Sequence, residues 1–300
     1  MDKIFLEGVA NFLFTSFTIK KILYIHFFSI DKKQIVMKFF RKIGLACIFF
    51  SLSISAMAWG LTGHRIVGAI AETYLNAKAK KEIQRILGNE SLTMASNWAD
   101  FIKSDTAYDY LYNWHFTNLQ DGLNYEQIKS KLENDTAANA FNKINFISRE
   151  LRNKKLPVDK QRMYLRLLIH FVGDIHQPMH VGRLEDLGGN RIRVIWFRDS
   201  SNLHRLWDEQ LIDFQKLSYT EYVKAINYTT PAQRLTWQKQ SIAEWFFDSY
   251  QLSRQLYSEI KQPHQRLSYR YDYDHVAMLN RQLLKGGVHL AGLLNEIFGK

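Results

Sequence analysis

Leu165-Arg166-Leu167-Leu168-Ile169-His170-Phe171-Val172-Gly173-Asp174-Ile175-His176-Gln177-Pro178-Met179-His180 is the stretch on which the fold turns. Its apolar spacing predicts a helix over 161–176, with Asp159 as a plausible cap and Pro178 as its end. His170 and Asp174 stand four apart and share one helical face, while His176 falls off that face and reads as structural. His180 follows the helix-ending proline. Taken singly, such a His–Asp pair is more often a surface hydrogen bond than a ligand pair, so its weight depends on what else the chain supplies.

Working outward, the spacing of Ile66, Val67, Ile70 and Tyr74 predicts a helix from Gly63 to Leu87, stopped at Gly88. Further helices are expected near 94–104, 123–133 and 137–153. Thr230-Pro231 is a cap and first position for a long helix reaching Ile260, stopped by Pro263, and a last helix runs from Asp274 to Phe298. The one clear strand is Arg191–Phe197, alternating after the Gly188-Gly189-Asn190 turn. No repeat or linker interrupts this pattern. The chain reads as all-α, a single helical domain with a short β-hairpin.

A hydrophobic fraction of 46% excludes a disordered chain. Seven Trp, fifteen Tyr and twenty Phe suit a core as well as they suit base stacking. Eight of the 40 basic and three of the 29 acidic residues precede residue 59, leaving 32 against 26. That mild excess suits a polyanion without demanding one.

The segment before residue 59 bears on the chemistry. From Met37 the chain reads as a signal peptide: Lys38, Arg41 and Lys42, an apolar run from Ile43 to Ile54, then Ala56-Met57-Ala58. Cleavage after Ala58 would give a periplasmic or secreted protein of residues 59–300, without a membrane anchor. Residues 1–36 read as an upstream extension of uncertain reality. The one cysteine, Cys47, would be lost, so metal must rest on His, Asp, Glu and backbone groups. Cleavage also frees the Trp59 amine, which titrates at about 7.7–8.0 and can chelate a metal with its own carbonyl.

Nine of the ten histidines follow that site, and their neighbours matter more than their number. His204 and Asp208 repeat the four-residue spacing of His170 and Asp174. Asp100 closes Asn97-Trp98-Ala99-Asp100, and His115 lies in Trp114-His115-Phe116. Zinc accepts imidazole and carboxylate together. Trp59-Gly60-x-x-Gly63-His64, Trp98-Ala99-Asp100, His170-x3-Asp174-x5-His180 and His204-x3-Asp208 together resemble the single-strand-specific nuclease family of moulds, plants and bacteria, the S-one/P-one nucleases. The resemblance covers nearly all of 59–300. It implies the helical phospholipase C/single-strand nuclease fold and three Zn2+ per chain. One zinc would rest on Asp100, His115, His170 and Asp174, and a second on Trp59, His64 and Asp174 as a bridge. The third would rest on His180, His204 and Asp208.

The resemblance further implies an endonuclease and 3'-nucleotidase acting on single-stranded DNA and RNA and on 3'-nucleotides. A hydroxide between the paired zincs would attack phosphorus and leave 5'-phosphate products, with Asp100 and Asp174 in the catalytic centre. Lys103 takes the place of a basic residue that offsets phosphate charge. Phe116 resembles the family's base-stacking ring, and Leu187 could form the opposite wall. Asn118 replaces an acid found in the mould members, so their base preference is not inherited. A monomer with no stable protein partner is expected. Two other readings stand beside this one. A zinc-dependent phospholipase C shares the fold, but the five-residue step from Trp59 to His64 and the Trp-His-Phe stretch favour the nuclease. A zinc-stabilised binding protein would want closed four-ligand sites, whereas His180, His204 and Asp208 supply three. His264, His275 and His289 carry no assignment.

Overall fold

The computed structural model describes residues 59–153 and 155–299. The upstream extension, the signal peptide, Cys47 and the cut after Ala58 lie outside the described residues. Helix α1 spans Leu61–Thr73 and α2 spans Ala77–Leu87, so the single helix expected over 63–87 is broken. Tyr74 and Leu75 keep the apolar period across the break. The Asn76 side chain, however, accepts the Ala79 N–H and starts a new helix. Gly88 ends it at φ 70°.

The helix expected near 94–104 is a series of short turns: Leu92–Ala95, Trp98–Phe101 and the 3-10 turn Ile102–Ser104. A nine-residue 3-10 helix, Thr106–Trp114, follows and has no counterpart in the sequence reading. Helices α3 (Tyr125–Asn134) and α4 (Ala140–Leu151) are capped by Asn124 and Asn139. Helix α5, Val158–Asp174, starts earlier than expected; Pro157 holds the cap position and Asp159 lies in the first turn. Pro178 opens a short 3-10 turn, Pro178–Val181, which carries His180.

Helix α6 (Tyr219–Ile226) was not anticipated. Thr230 does cap a helix, α7 (Pro231–Gln238), but the long helix expected to Ile260 is interrupted. Ser241 and Glu244 form a reciprocal capping box that starts α8 (Ile242–Glu259) afresh. Helix α9 spans Tyr269–Phe298, five residues longer at its start than Asp274 suggested. Strand β1 (Arg193–Trp196) pairs antiparallel with β2 (Asp199–Asn202) and parallel with β3 (Gln265–Leu267), so a third strand joins the expected hairpin. No helix among the described residues is long and apolar enough to cross a membrane.

The core is built around α5. Its second half, Leu167 to Asp174, is buried on every side. Helix α9 packs on α1 so closely that a methyl group on Gly287 would run into Ile70. Burying an aliphatic side chain such as Leu168 or Ile169 is worth about 1.5–3 kcal/mol each, and this rigid packing fixes the polar groups among them. Within that buried half-helix the charge-bearing side chains are His170 and Asp174. Everything at the site is arranged around them.

Candidate metal centre

Asp174 is fully buried and divides its two oxygens between opposite sides. Oδ1 lies 3.2 Å from His64 Nε2, whereas Oδ2 lies 3.0 Å from His115 Nδ1 and 3.3 Å from His170 Nε2. His170 Nε2 is also 3.1 Å from His115 Nδ1 and 3.8 Å from Asp100 Oδ1. The His64 and His170 rings stack at 3.9 Å. Five side chains from α1, the Trp98–Phe101 turn, the end of the 3-10 helix and α5 thus meet in one buried cluster.

Gly173 makes room for it. A methyl group there would lie 2.8 Å from His64 Nδ1 and 3.8 Å from Trp59 Cδ1. Trp59 is itself fully buried, so the residue expected to begin the mature chain sits against the cluster. Lys103 Nζ stands 2.6 Å from Asp100 Oδ1.

A second cluster is formed by His180, His204 and Asp208. His204 Nε2 is 3.0 Å from Asp208 Oδ2 and His180 Nε2 is 3.6 Å from Oδ1. Asp208 sits in a single π-helical turn, Leu206–Gln210, a distortion that is frequent at functional sites. The Gly60 N–H donates to the Asp208 carbonyl at 2.8 Å, tying the start of α1 to this turn.

Backbone carbonyls orient the histidines. His170 Nδ1 donates to Ser96 O, His180 Nδ1 to His115 O and His204 Nδ1 to Gly188 O, at 2.7, 2.8 and 2.7 Å. A carbonyl only accepts, so each of these rings carries its proton on Nδ1 and presents an Nε2 lone pair to its cluster. Gly188 in turn belongs to a loop held by Asp186, whose Oδ1 accepts from Gly189 N at 2.6 Å and from the Tyr257 hydroxyl at 2.8 Å. The Gln177 amide donates to Asp208 and accepts the Met179 N–H. These supporting groups escaped the sequence reading, though a glycine inside an apolar helix at 173 is a visible sign of a close approach.

The donors fit a cation better than they fit one another. Both ring nitrogens of His64, Asp174 Oδ1 and His180 Nε2 are buried without a hydrogen-bond partner. Burial, reinforced by neighbouring His170, holds His64 and His115 well below the ordinary imidazole range. Burial lowers His170 to about 4. Burial and then the Asp100 charge push Asp174 well above the carboxylate range. The imidazoles therefore stay neutral and cannot supply the positive charge that the carboxylates lack. A divalent cation would remove both faults at once, since neutral imidazole and carboxylate oxygen are its ligands. In the second cluster burial alone would raise Asp208, but the neighbouring His204, and after it His180, hold it at about 2. The geometry groups His64, Asp100 and His170; His115, His170 and Asp174; and His180, His204 and Asp208 as metal-holding sets.

A family model described as S1/P1 Nuclease matches residues 59–299. The chain belongs to the S1/P1 nuclease family. It therefore belongs to the hydrolases that cut phosphodiester bonds, with the helical phospholipase C-like fold of that family. Endonuclease 3 of Arabidopsis thaliana is 28% identical over 266 residues, covering 81% of this chain and 90% of its own length. Nuclease P1 of Penicillium citrinum is 28% identical over 277 residues, covering 80% and 98%. Nuclease S1 of Aspergillus oryzae is 28% identical over 180 residues, covering 57% and 60%.

Phe116, Asn118 and Leu187 lie on segments that adjoin the histidines of the two clusters. Segment 116–119 runs beside 180–183, with Thr117 N donating to His180 O and Leu119 N to Gly182 O. Phe116 is half-buried there. Asn118 Oδ1 is buried without a partner and lies 3.0 Å from where a side chain on Gly188 would start. Leu187 is exposed and adopts φ 58°, a left-handed conformation that costs a non-glycine residue about 1 kcal/mol or more. His264, His275 and His289 lie outside both clusters: His275 Nε2 faces Glu259 at 2.6 Å and His289 pairs with His176.

Proposed function

We propose that residues 59–300 form a secreted or periplasmic zinc enzyme, an endonuclease and 3'-nucleotidase for single-stranded DNA and RNA that leaves 5'-phosphates. The observation that carries this reading is the division of Asp174 between His64 on one oxygen and His115 and His170 on the other. It supports Asp174 as a bridging carboxylate. Asp100, His115, His170 and Asp174 would hold one zinc, and Trp59, His64 and Asp174 a second. His180, His204 and Asp208 would hold a third. The family match beginning at Trp59, together with the burial of that residue, supports a mature chain whose terminal amine is a ligand.

When bound, zinc supplies a water acidic enough to ionise near neutral pH and a Lewis acid for phosphate oxygens. The protein groups set the rest. Ser96 O, His115 O and Gly188 O hold three imidazoles in the tautomer that offers Nε2. Lys103, ion-paired with Asp100, supplies positive charge beside the centre, where it offsets phosphate charge in the transition state. Phe116 offers a ring to a base, Leu187 a facing wall, and the unpartnered Asn118 Oδ1 an acceptor for a base N–H. A base locked in a duplex must unstack to reach that ring, at a cost of a few kcal/mol.

The test is metal content and product analysis on protein that starts at Trp59. Three zincs per chain, 5'-phosphate fragments from a single-stranded oligonucleotide and slow cutting of duplex are expected. A chain with one extra residue before Trp59 should lose a zinc and most turnover. Hydrolysis of micellar phosphatidylcholine without cleavage of single strands would overturn the nuclease reading and leave the metal site standing.

A further inference from the structure

The 3-10 helix Thr106–Trp114 has three residues per turn, and its burial follows that period. Leu111 and Trp114 are buried and Tyr108 is half-buried, three apart on the inner face. Runs of this length are uncommon in 3-10 geometry, so the inner face must hold the segment in place. Lys143 Nζ lies 4.2 Å above the Trp114 ring and closes that side. The helix ends on His115, a member of the buried cluster. Its outer face carries Tyr112, which is 60% exposed.

A single exposed tyrosine is ordinary. The surroundings of Tyr112 are not. Its ring centroid lies 5.8 Å from that of Phe116, with the two planes at 82°. Tyr112 lies on the anchored 3-10 helix and Phe116 follows its His115 cap, so the backbone holds the two rings as neighbours. Two aromatic faces close together and nearly perpendicular cannot both receive bases that remain stacked on each other.

We infer that Tyr112 is a second base-stacking platform, taking the nucleotide next to the one at Phe116, and that the crossed rings make the strand bend between them. This rests on the nuclease reading above. Neighbouring bases in a duplex lie parallel, so a substrate that fills both platforms must be single-stranded at the bound step. The strand requirement then has two sources: access to Phe116, and a bend that a stacked helix does not make. The occupant is a nucleobase because the surface is a flat π face beside the Phe116 ring, and base–aromatic stacking tolerates every base.

The test compares kcat/KM for a single-stranded hexanucleotide with that for a nucleoside 3'-monophosphate, in wild type, Tyr112→Ala and Tyr112→Phe. A monophosphate has one base and needs one platform. The ratio of hexanucleotide to monophosphate activity should fall about fivefold or more in Tyr112→Ala, the low end for losing one base–aromatic stack. The loss should lie mainly in KM, and Tyr112→Phe should restore the ratio. An unchanged ratio, or a faster hexanucleotide rate because Tyr112 merely covers Phe116, would overturn the second platform while leaving the nuclease reading intact. A wild-type enzyme that cuts no oligonucleotide would overturn both.

Discussion

Two groups of buried histidines lie around the end of α5, and they differ in whether their polar atoms are satisfied. His64, His115 and His170 crowd around Asp174 with imidazole and carboxylate atoms left without partners. His176, two residues beyond Asp174, has a partner at each ring nitrogen. Its Nδ1 donates to Val172 O at 2.7 Å and its Nε2 accepts from His289 Nδ1 at 2.6 Å. His289 reaches Gln240 through Nε2 at 3.1 Å and stacks on Trp245 at 4.6 Å. Both ring nitrogens of His176 are partnered, whereas the other group is open to a ligand. Buried histidine marks neither a site nor a scaffold; unmet hydrogen-bonding capacity separates them.

The largest break in that contrast should come from Asp174→Asn. A neutral amide is a poor bridge between two cations, so zinc should be lost on both sides of residue 174 while the His180, His204 and Asp208 set keeps its metal. Losing an outer-shell partner of a ligand already costs about 10–100-fold in metal affinity or activity, so turnover should fall by more than about 100-fold. Zinc stoichiometry and rate on the folded variant check this. Retention of three zincs with near-normal turnover would mean the open cluster is not the working one.

A smaller effect sharpens the role of charge at the open cluster. Lys103→Ala should slow turnover by about tenfold, or roughly 1.4 kcal/mol of barrier, with the zinc content and melting temperature little changed. A variant that melts much lower but turns over normally would assign the Lys103–Asp100 pair to folding instead.

Spacing in the sequence showed part of the open cluster and none of the closed one, for a physical reason. His170 and Asp174, and in the second cluster His204 and Asp208, sit four apart on one turn, so spacing joins each pair, whereas His64, Asp100 and His115 were named from the family resemblance. His176 and His289 are 113 positions apart and meet only because α9 packs across the end of α5. The same limit governs the fold. An apolar period runs through Tyr74 and Leu75 without a fault, so it cannot show that Asn76 starts a new helix. Ser241 and Glu244 were a readable capping box, and the expectation of one helix to Ile260 overlooked it. The segment Thr106–Trp114 repeats every three residues, a period that a search for helical 3.6 or strand 2 passes over. With it went Tyr112. Leu187 and Asn118 were named from resemblance, but their nearness to Gly188 depends on a loop held by Asp186 and Tyr257, which no local pattern encodes.

The smallest effect on turnover should come from breaking the closed pair, and its signature is in stability. Burial holds His176 at about 4 against the ordinary 6.5, and burial together with His176 lowers His289 as well. Between those two values the folded chain binds fewer protons at His176 than the unfolded chain does. Stability from this residue is therefore complete above about pH 6.5 and is lost as pH falls towards 4, by roughly 3 kcal/mol. His176→Gln removes that titration. It also removes the hydrogen bond to His289, at a cost of about 1–3 kcal/mol that does not depend on pH. The variant should thus melt below the wild type at pH 7.5, with turnover little changed. The gap should narrow as both are taken to pH 4.5, because only the wild type gains the penalty of charging His176. Zinc ligands titrate over the same range in both proteins and cancel in the comparison. A gap that stays constant from pH 7.5 to 4.5 would show that His176 is not held neutral by burial. A variant that lost zinc or turnover along with stability would dissolve the distinction between the two histidine groups.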